Sequence, residues 1–168
     1  MTIEGIYRKT GPNSQLRAIL VCLARDEMPD LTDSTEHPDI TSVTSALKLY
    51  LRELPEPLLT YELYPQFIDA ARSVDSSDPR ASLDRFRSLL LALPRGHRTT
   101  LAFLMAHLSR VQAQHEINLM TTKNLGVVFG PTLMRTTDPD RELLEMGTKN
   151  AVVEYIIEYA DELLGTAK

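Results

Sequence analysis

Asp39-Ile40-Thr41-Ser42-Val43-Thr44-Ser45-Ala46-Leu47-Lys48-Leu49-Tyr50-Leu51-Arg52-Glu53-Leu54-Pro55-Glu56-Pro57-Leu58 is the stretch that decides the fold. Val43, Ala46, Leu47, Tyr50, Leu51 and Leu54 fall at i, i+3, i+4, i+7, i+8 and i+11, one stripe of an amphipathic helix. Pro55 and Pro57 end it, because a proline disfavours helical backbone in the residue before it. The same step recurs on both sides. Leu16, Ile19, Leu20 and Leu23 mark a first helix, with Asn13 or Ser14 as its N-cap. Tyr64, Phe67, Ile68 and Ala71 mark a helix over residues 60–73, and Leu83, Phe86, Leu90 and Leu93 one that Pro94 stops. Leu101, Leu104, Met105, Leu108 and Val111 give another. Asn124 to Phe129 reads as a short helix ending at Gly130-Pro131, and Arg135 to Gly147 as a loop with a polar start. Val152, Tyr155, Ile156, Tyr159, Ala160 and Leu163 form the last amphipathic helix. The polar, acidic stretch from Asp26 to Pro38 reads as a surface loop. Runs that alternate with period two are missing, so residues 1–168 read as one all-α helical bundle.

Composition narrows the function classes. The 168 residues suit one domain with a substantial core. A net charge of -5 gives a nucleic-acid role no electrostatic support. The single cysteine, Cys22, cannot form an internal disulfide, which suits a reducing compartment. Neither a signal peptide nor an apolar run near the roughly 20 residues of a membrane span is visible, so no membrane insertion and a cytoplasmic location are expected. His37, His97, His107 and His115 lack the HExxH spacing of a zinc site, so no metal is expected and the histidines read as exposed or hydrogen-bonded. Neither a phosphate-binding P-loop nor a nucleophile elbow occurs, so the chain is not expected to bind a nucleotide alone. Asp138-Pro139-Asp140 resembles a calcium loop only superficially, because the required glycine and the later bidentate glutamate are wrongly placed.

Cations stand out. Gly5-Ile6-Tyr7-Arg8-Lys9-Thr10-Gly11-Pro12 brackets an arginine between two glycines, with a proline behind them. Such a segment is a tight loop, stiff enough to hold one long cationic side chain towards an anion. On the decisive helix Lys48 and Arg52 are four residues apart and so are surface neighbours, and like charges at that spacing cost a few tenths of a kcal/mol. Positions 44, 45 and 49 are Thr, Ser and Leu, none of which compensates them. The pair is either a tolerated surface clash, a patch awaiting an acidic partner, or a clamp on the carbonyls of a neighbouring loop. Asn124 stands at the edge of the core, where its amide can donate and accept at once, either as a satisfied boundary residue or as a contact.

Three blocks together carry a family resemblance: Glu4 to Gly11, Lys48 to Leu58, and Asn124-Leu125-Gly126-Val127-Val128-Phe129-Gly130-Pro131-Thr132-Leu133. In order and near-spacing they resemble the Rho-family GTPase-activating (RhoGAP) domain over nearly the whole chain. The resemblance implies a helical bundle that docks on a GTP-bound small GTPase of the Rho, Rac or Cdc42 type and stimulates GTP hydrolysis. It implies that Arg8 is an arginine finger inserted in trans. Lys48 and Arg52 would support the finger loop (residues 4–12) and the contact surface. Asn124, in the segment 121–134, would lie near the GTPase switch regions. Pro57, closing the docking helix and proline turn of residues 39–58, would lie in a docking groove. GTP and Mg²⁺ would belong to the partner, so no cofactor of its own is expected, nor stand-alone enzyme activity. Two departures set expectations. Only Met1 to Ile3 precede Glu4, so the N-terminal helices read as shortened or missing and the finger loop as poorly anchored. Gly126 stands where the family often has alanine, a helix-propensity cost of about 1 kcal/mol. The rival reading is a catalytically weak or inactive GTPase-binding module.

Overall fold

Asp39 starts the decisive helix by accepting a hydrogen bond from Thr41 N at 2.9 Å, which satisfies one of the free amides of the first turn. This helix, α2, spans Ile40–Glu53 and follows α1, Asn13–Ala24. The computed structural model describes residues 2–27, 29–31 and 39–165. Among them come α3 (Tyr64–Arg72), α4 (Pro79–Ala92), α5 (Arg95–Gln112), α6 (His115–Asn118), α7 (Thr122–Leu133), α8 (Pro139–Leu144), α9 (Met146–Glu158) and α10 (Ala160–Leu164), with no strand. Among the described residues no helix is long and apolar enough to cross a membrane. His37 and most of the loop read over Asp26 to Pro38 lie outside the described residues.

The centre of the bundle is the contact of α7 with α9, flanked by α3 on α9, α2 on α7, and α5 against both. Glycine permits this closeness. A Cβ on Gly126 would come within 2.6 Å of the Asn150 carbonyl oxygen, and one on Gly130 within 2.9 Å of Asn150 Cα and N. The propensity cost expected at Gly126 therefore has a packing cause: the glycines let α9 approach the α7 backbone. Around this contact Phe67, Phe86, Leu101, Met105, Phe129, Val152 and Ile156 are wholly buried.

Several boundaries differ from the sequence reading, each for a physical reason. Neither Asn13 nor Ser14 caps α1; Pro12 does, without a side-chain bond, since its ring fixes φ at -57°. The helix of α7 continues through Pro131 to Leu133. Pro131 forfeits only its own amide, while the Met134 amide still reaches the Gly130 carbonyl at 3.0 Å. The loop read over Arg135 to Gly147 contains α8, started by Asp138, whose carboxylate accepts from Asp140 N and Arg141 N. The last helix begins earlier, at Met146, and breaks at Tyr159. The third begins at Tyr64, four residues later than read.

The buried face of α2 is also rotated from the apolar stripe. Ser42, Thr44, Ser45, Ala46 and Leu51 are buried, whereas Tyr50 is 58% exposed. Hydroxyls, which hydropathy counts as outward-facing, are satisfied here by neighbours: Ser42 Oγ donates to Gln15 Oε1 at 3.0 Å and Ser45 Oγ accepts from Gly11 N at 3.3 Å.

A second device, unforeseen from sequence, ties α8 to α9 and α3. Lys149 is fully buried and its ammonium pairs with Glu142. One turn away, buried Glu145 accepts from Tyr64 Oη at 3.0 Å, Arg72 at 3.0 Å and Arg141 at 3.2 Å. Burial pushes the Glu145 carboxyl up, but the hydrogen bonds from Arg141 and Tyr64 and the charges of Arg141 and Arg72 outweigh it and hold its pKa below the usual value. Glu142→Gln, which strands the buried ammonium, should cost about 3 kcal/mol in urea unfolding, the low end for a broken buried pair because Glu142 is 34% exposed. Adding Lys149→Met should restore most of that loss. At the α7–α9 contact, Gly130→Ala should destabilise by about 1–3 kcal/mol through overpacking, despite the gain in helix propensity.

Candidate functional site

The loop from Glu4 to Gly11 is built on two left-handed residues. Gly5 has φ 70°, at little cost for glycine, while Tyr7 has φ 71°, a region a bulky aromatic residue avoids. Such a backbone costs on the order of 1–3 kcal/mol and persists only where surroundings hold it. They do. Gly5 N donates to the Asn118 carbonyl at 2.8 Å, and the Gly5 carbonyl accepts from Arg8 N and Lys9 N, both at 2.9 Å. Lys48 donates its ammonium to the Tyr7 carbonyl. The Tyr7 ring, 4% exposed, lies edge-on to Phe129 at 5.1 Å between centroids, and its hydroxyl is 2.6 Å from His107 Nε2. At the far end Gly11 N donates to Ser45 Oγ, and a Cβ on Gly11 would approach Ser42 Cα to 2.6 Å. The expectation of a poorly anchored loop is thus corrected: both ends and the middle are tied to α2, α5 and the α6 end.

Between the ties Arg8, Lys9 and Thr10 are exposed. Lys9 pairs with Glu4 at 3.6 Å. The Arg8 guanidinium has no hydrogen bond or ion pair with the described residues. It stands on the rim of a groove of about 320 Å³ whose wall carries Lys48 and Arg52 and whose apolar lining includes Leu49, Val128 and Pro131. Burial, and then the charge of Arg52, lowers the Lys48 pKa. Of the options open for the basic pair, Lys48 is the clamp on a loop carbonyl, and Arg52 is an exposed cation on the same wall.

Arg135 sets where α2 ends. Its two terminal nitrogens donate to the Arg52 and Leu54 carbonyls, which a helix C-terminus leaves unsatisfied, and its guanidinium lies 5.9 Å from the Tyr61 ring centre. Sequence reasoning passed over it, together with Asn118 and the anchoring roles of Tyr7 and His107. Asn118 is wholly buried, donates to the Val111 carbonyl at 2.7 Å and accepts from Met120 N at 2.8 Å, so its own carbonyl is fixed for Gly5. A fully polar residue amid apolar ones was the available signal.

The remaining two candidates lie off the groove. Asn124 is half-buried in the first turn of α7; its amide nitrogen donates to the Leu119 carbonyl at 2.8 Å, closing the left-handed turn at Leu119, φ 59°. Pro57 is buried and does not line this groove. The turn is drawn inward because Leu58 and Leu59 enter the core and Leu59 N donates to the Leu133 carbonyl at 3.2 Å. His97 and His115 each place Nδ1 within hydrogen-bond distance of a backbone carbonyl, at Leu58 and Gln112.

With this geometry in place, comparison with known proteins is decisive: residues 1–138 match the RhoGAP domain family. The chain belongs to the RhoGAP family. N-chimaerin of Rattus norvegicus is 42% identical over 163 residues, covering 95% of this chain and 48% of that protein. Probable Rho-type GTPase-activating protein 4 of Schizosaccharomyces pombe is 40% identical, over 97% of this chain and 17% of that protein. The chain therefore spans less than half of either curated relative. The crystal structure of human Rho GTPase activating protein 15 superposes with a TM-score of 0.90 at 33% identity, covering 98% of this chain and 76% of that one. The described residues, all-helical with no strand, thus share the fold of that RhoGAP structure.

The snug seat of Gly11 gives a test of loop anchoring in this RhoGAP domain. Gly11→Ala should lower unfolding stability by about 1–3 kcal/mol, since the added methyl meets the Ser42 backbone as well as its hydroxyl. Gly96→Ala, where the new methyl meets nothing within 4 Å, should be neutral or stabilising by up to about 1 kcal/mol. Urea titrations of the two variants make the comparison.

Proposed function

We propose that this RhoGAP domain stimulates GTP hydrolysis by a Rho, Rac or Cdc42-type small GTPase, inserting Arg8 in trans as an arginine finger. The observation that carries the reading is the state of Arg8: exposed, without a partner among the described residues, and projecting from a loop anchored on both sides. The groove beside it adds Lys48 and Arg52, a local cluster of cations in a chain whose net charge is -5. Such a patch favours approach of a phosphate-bearing or acidic partner surface.

The chemistry follows from what the partner lacks. During hydrolysis negative charge shifts across the phosphoryl oxygens towards the leaving bridge. A guanidinium entering that dry site stabilises the shifted charge, and its planar fork reaches two oxygens at once. The GTPase supplies GTP, Mg²⁺, its phosphate-binding loop and the residue that orients water; this domain supplies the cation. Anchoring matters because a finger held ready loses less freedom on insertion. Lys48 holds the loop, Arg52 meets the partner surface, and Asn124, one turn along α7 from the groove, contacts the switch regions. The domain acts in the cytoplasm, where GTP-bound Rho proteins signal.

Single-turnover hydrolysis by purified Rho, Rac and Cdc42 proteins, with and without the domain, tests the reading. Arg8→Ala should remove most of the stimulation, on the order of 10³-fold or more, with an unchanged thermal melt because the Arg8 side chain is exposed and unpaired among the described residues. Arg8→Lys should recover little, since an ammonium lacks the fork. An undiminished rate with Arg8→Ala would take Arg8 out of the mechanism. Binding of the GTP-bound protein without acceleration by the unaltered domain would favour the binding-module reading.

A further inference from the structure

We propose that His107 and the Tyr7 hydroxyl form a positioning pair that locks the finger loop and so fixes the aim of Arg8. The inference rests on the arginine-finger reading for its effect on rate. The lock itself can be measured without it.

Tyr7 immediately precedes Arg8, so its φ of 71° sets the direction in which the chain leaves towards the finger. Return to an ordinary negative φ would relieve the strain and re-aim Arg8. Two ties oppose that return. The Lys48 ammonium holds the Tyr7 carbonyl, on the side of Arg8. The hydroxyl holds the ring, 2.6 Å from His107 Nε2 on α5. A phenylalanine would keep the edge contacts with Phe129 and the His107 ring, so the hydroxyl is the part that adds direction.

The anchor is firm because α5 is firm: Leu101, Leu104, Met105, Leu108 and Val111 are all buried in the core. The bond joins two neutral groups. Burial pushes the Tyr7 hydroxyl up to about 12, while burial and then the Arg110 charge lower the His107 pKa. Either the hydroxyl donates to an unprotonated Nε2 or Nε2–H donates to the phenolic oxygen, and both tautomers tie the ring to α5. A mainly apolar groove of about 210 Å³ walled by Leu47, Leu51, Phe103 and Leu104, with Thr100 as its other polar side chain, adjoins the pair. The hydroxyl is paired with His107 and not with Thr100.

The experiment compares the unaltered domain with Tyr7→Phe, His107→Leu, His107→Gln and the Tyr7→Phe/His107→Leu double variant. Amide hydrogen exchange reads the lock directly, at the Arg8 and Lys9 amides that donate to the Gly5 carbonyl. Tyr7→Phe and His107→Leu should each speed exchange there about five- to tenfold, leave α9 amides unchanged, and in combination go no further. His107→Gln, whose side-chain oxygen can accept from the hydroxyl, should restore protection. In single-turnover hydrolysis the same two variants should lower the maximal stimulated rate by a similar factor, with the half-saturating GTPase concentration unchanged and with rescue by His107→Gln. Thermal melts identify a variant that merely unfolds, and Tyr7→Phe, which removes one oxygen, decides in that case. Unchanged exchange at Arg8 and Lys9 in Tyr7→Phe overturns the lock, whatever the rates. Faster exchange with an undiminished rate overturns its role in aiming Arg8. Failure of the unaltered domain to accelerate hydrolysis overturns the finger reading, and exchange still decides the lock.

Discussion

A tyrosine carbonyl held by a lysine ammonium is the interaction on which the site depends. Tyr7 is forced into left-handed backbone, and Lys48 of α2 holds the peptide that follows. Without that clamp the strain in Tyr7 has a ready escape, and the escape moves Arg8, a cation that has no partner among the described residues. The clamp also gives the Lys48–Arg52 adjacency a purpose. Two like charges one turn apart cost little at a surface, and here the first is discharged onto a carbonyl while the second stays open on the groove wall.

Clamping a loop to a helix positions nothing unless the helix is itself fixed. Arg135 closes the C-terminus of α2 by meeting its free carbonyls, and it follows directly on α7, so α2 and α7 are registered to each other. Helix α7 is in turn seated on α9 through Gly126 and Gly130, at a distance no side chain would allow. The Lys149–Glu142 and Glu145 network then joins α9 to α8 and α3. Rigidity at Arg8 is thus a chain of contacts running from the far side of the bundle, and each link uses a residue type that helix propensity alone would disfavour or leave undecided.

Periodicity was enough for the helices whose burial is purely apolar. Helix α5 is the clearest instance, since all five residues of its stripe are in the core. It misled where hydrogen bonding replaces apolar contact. Ser42 and Ser45 turn the buried face of α2 away from Tyr50, and no count of hydrophobic residues shows that Gln15 and Gly11 will satisfy them. Asp138 capping α8 was legible as a side chain but not as a helix start, because the six residues that follow are too few to display a period. In the site, the glycine-bracketed loop and the basic pair could be read from residue types. The left-handed Tyr7, its bond to a residue 100 positions away and the inward turn at Pro57 are tertiary facts, set by what arrives from elsewhere in the chain.

Departures from local rules are where function is usually sought, yet this chain shows that departure alone does not locate it. Lys149 is a wholly buried cation, a larger anomaly than Arg8 by any measure of burial. What separates the two is completion. The Lys149 ammonium has its carboxylate within the fold, so its charge is spent on joining α9 to α8. Arg8 sits on a loop tied at both ends and at Tyr7, and its guanidinium is left unpaired among the described residues. Strain and four anchoring hydrogen bonds in a loop whose guanidinium stays open are what the arginine-finger proposal requires, since a finger must be held ready for a contact outside the chain.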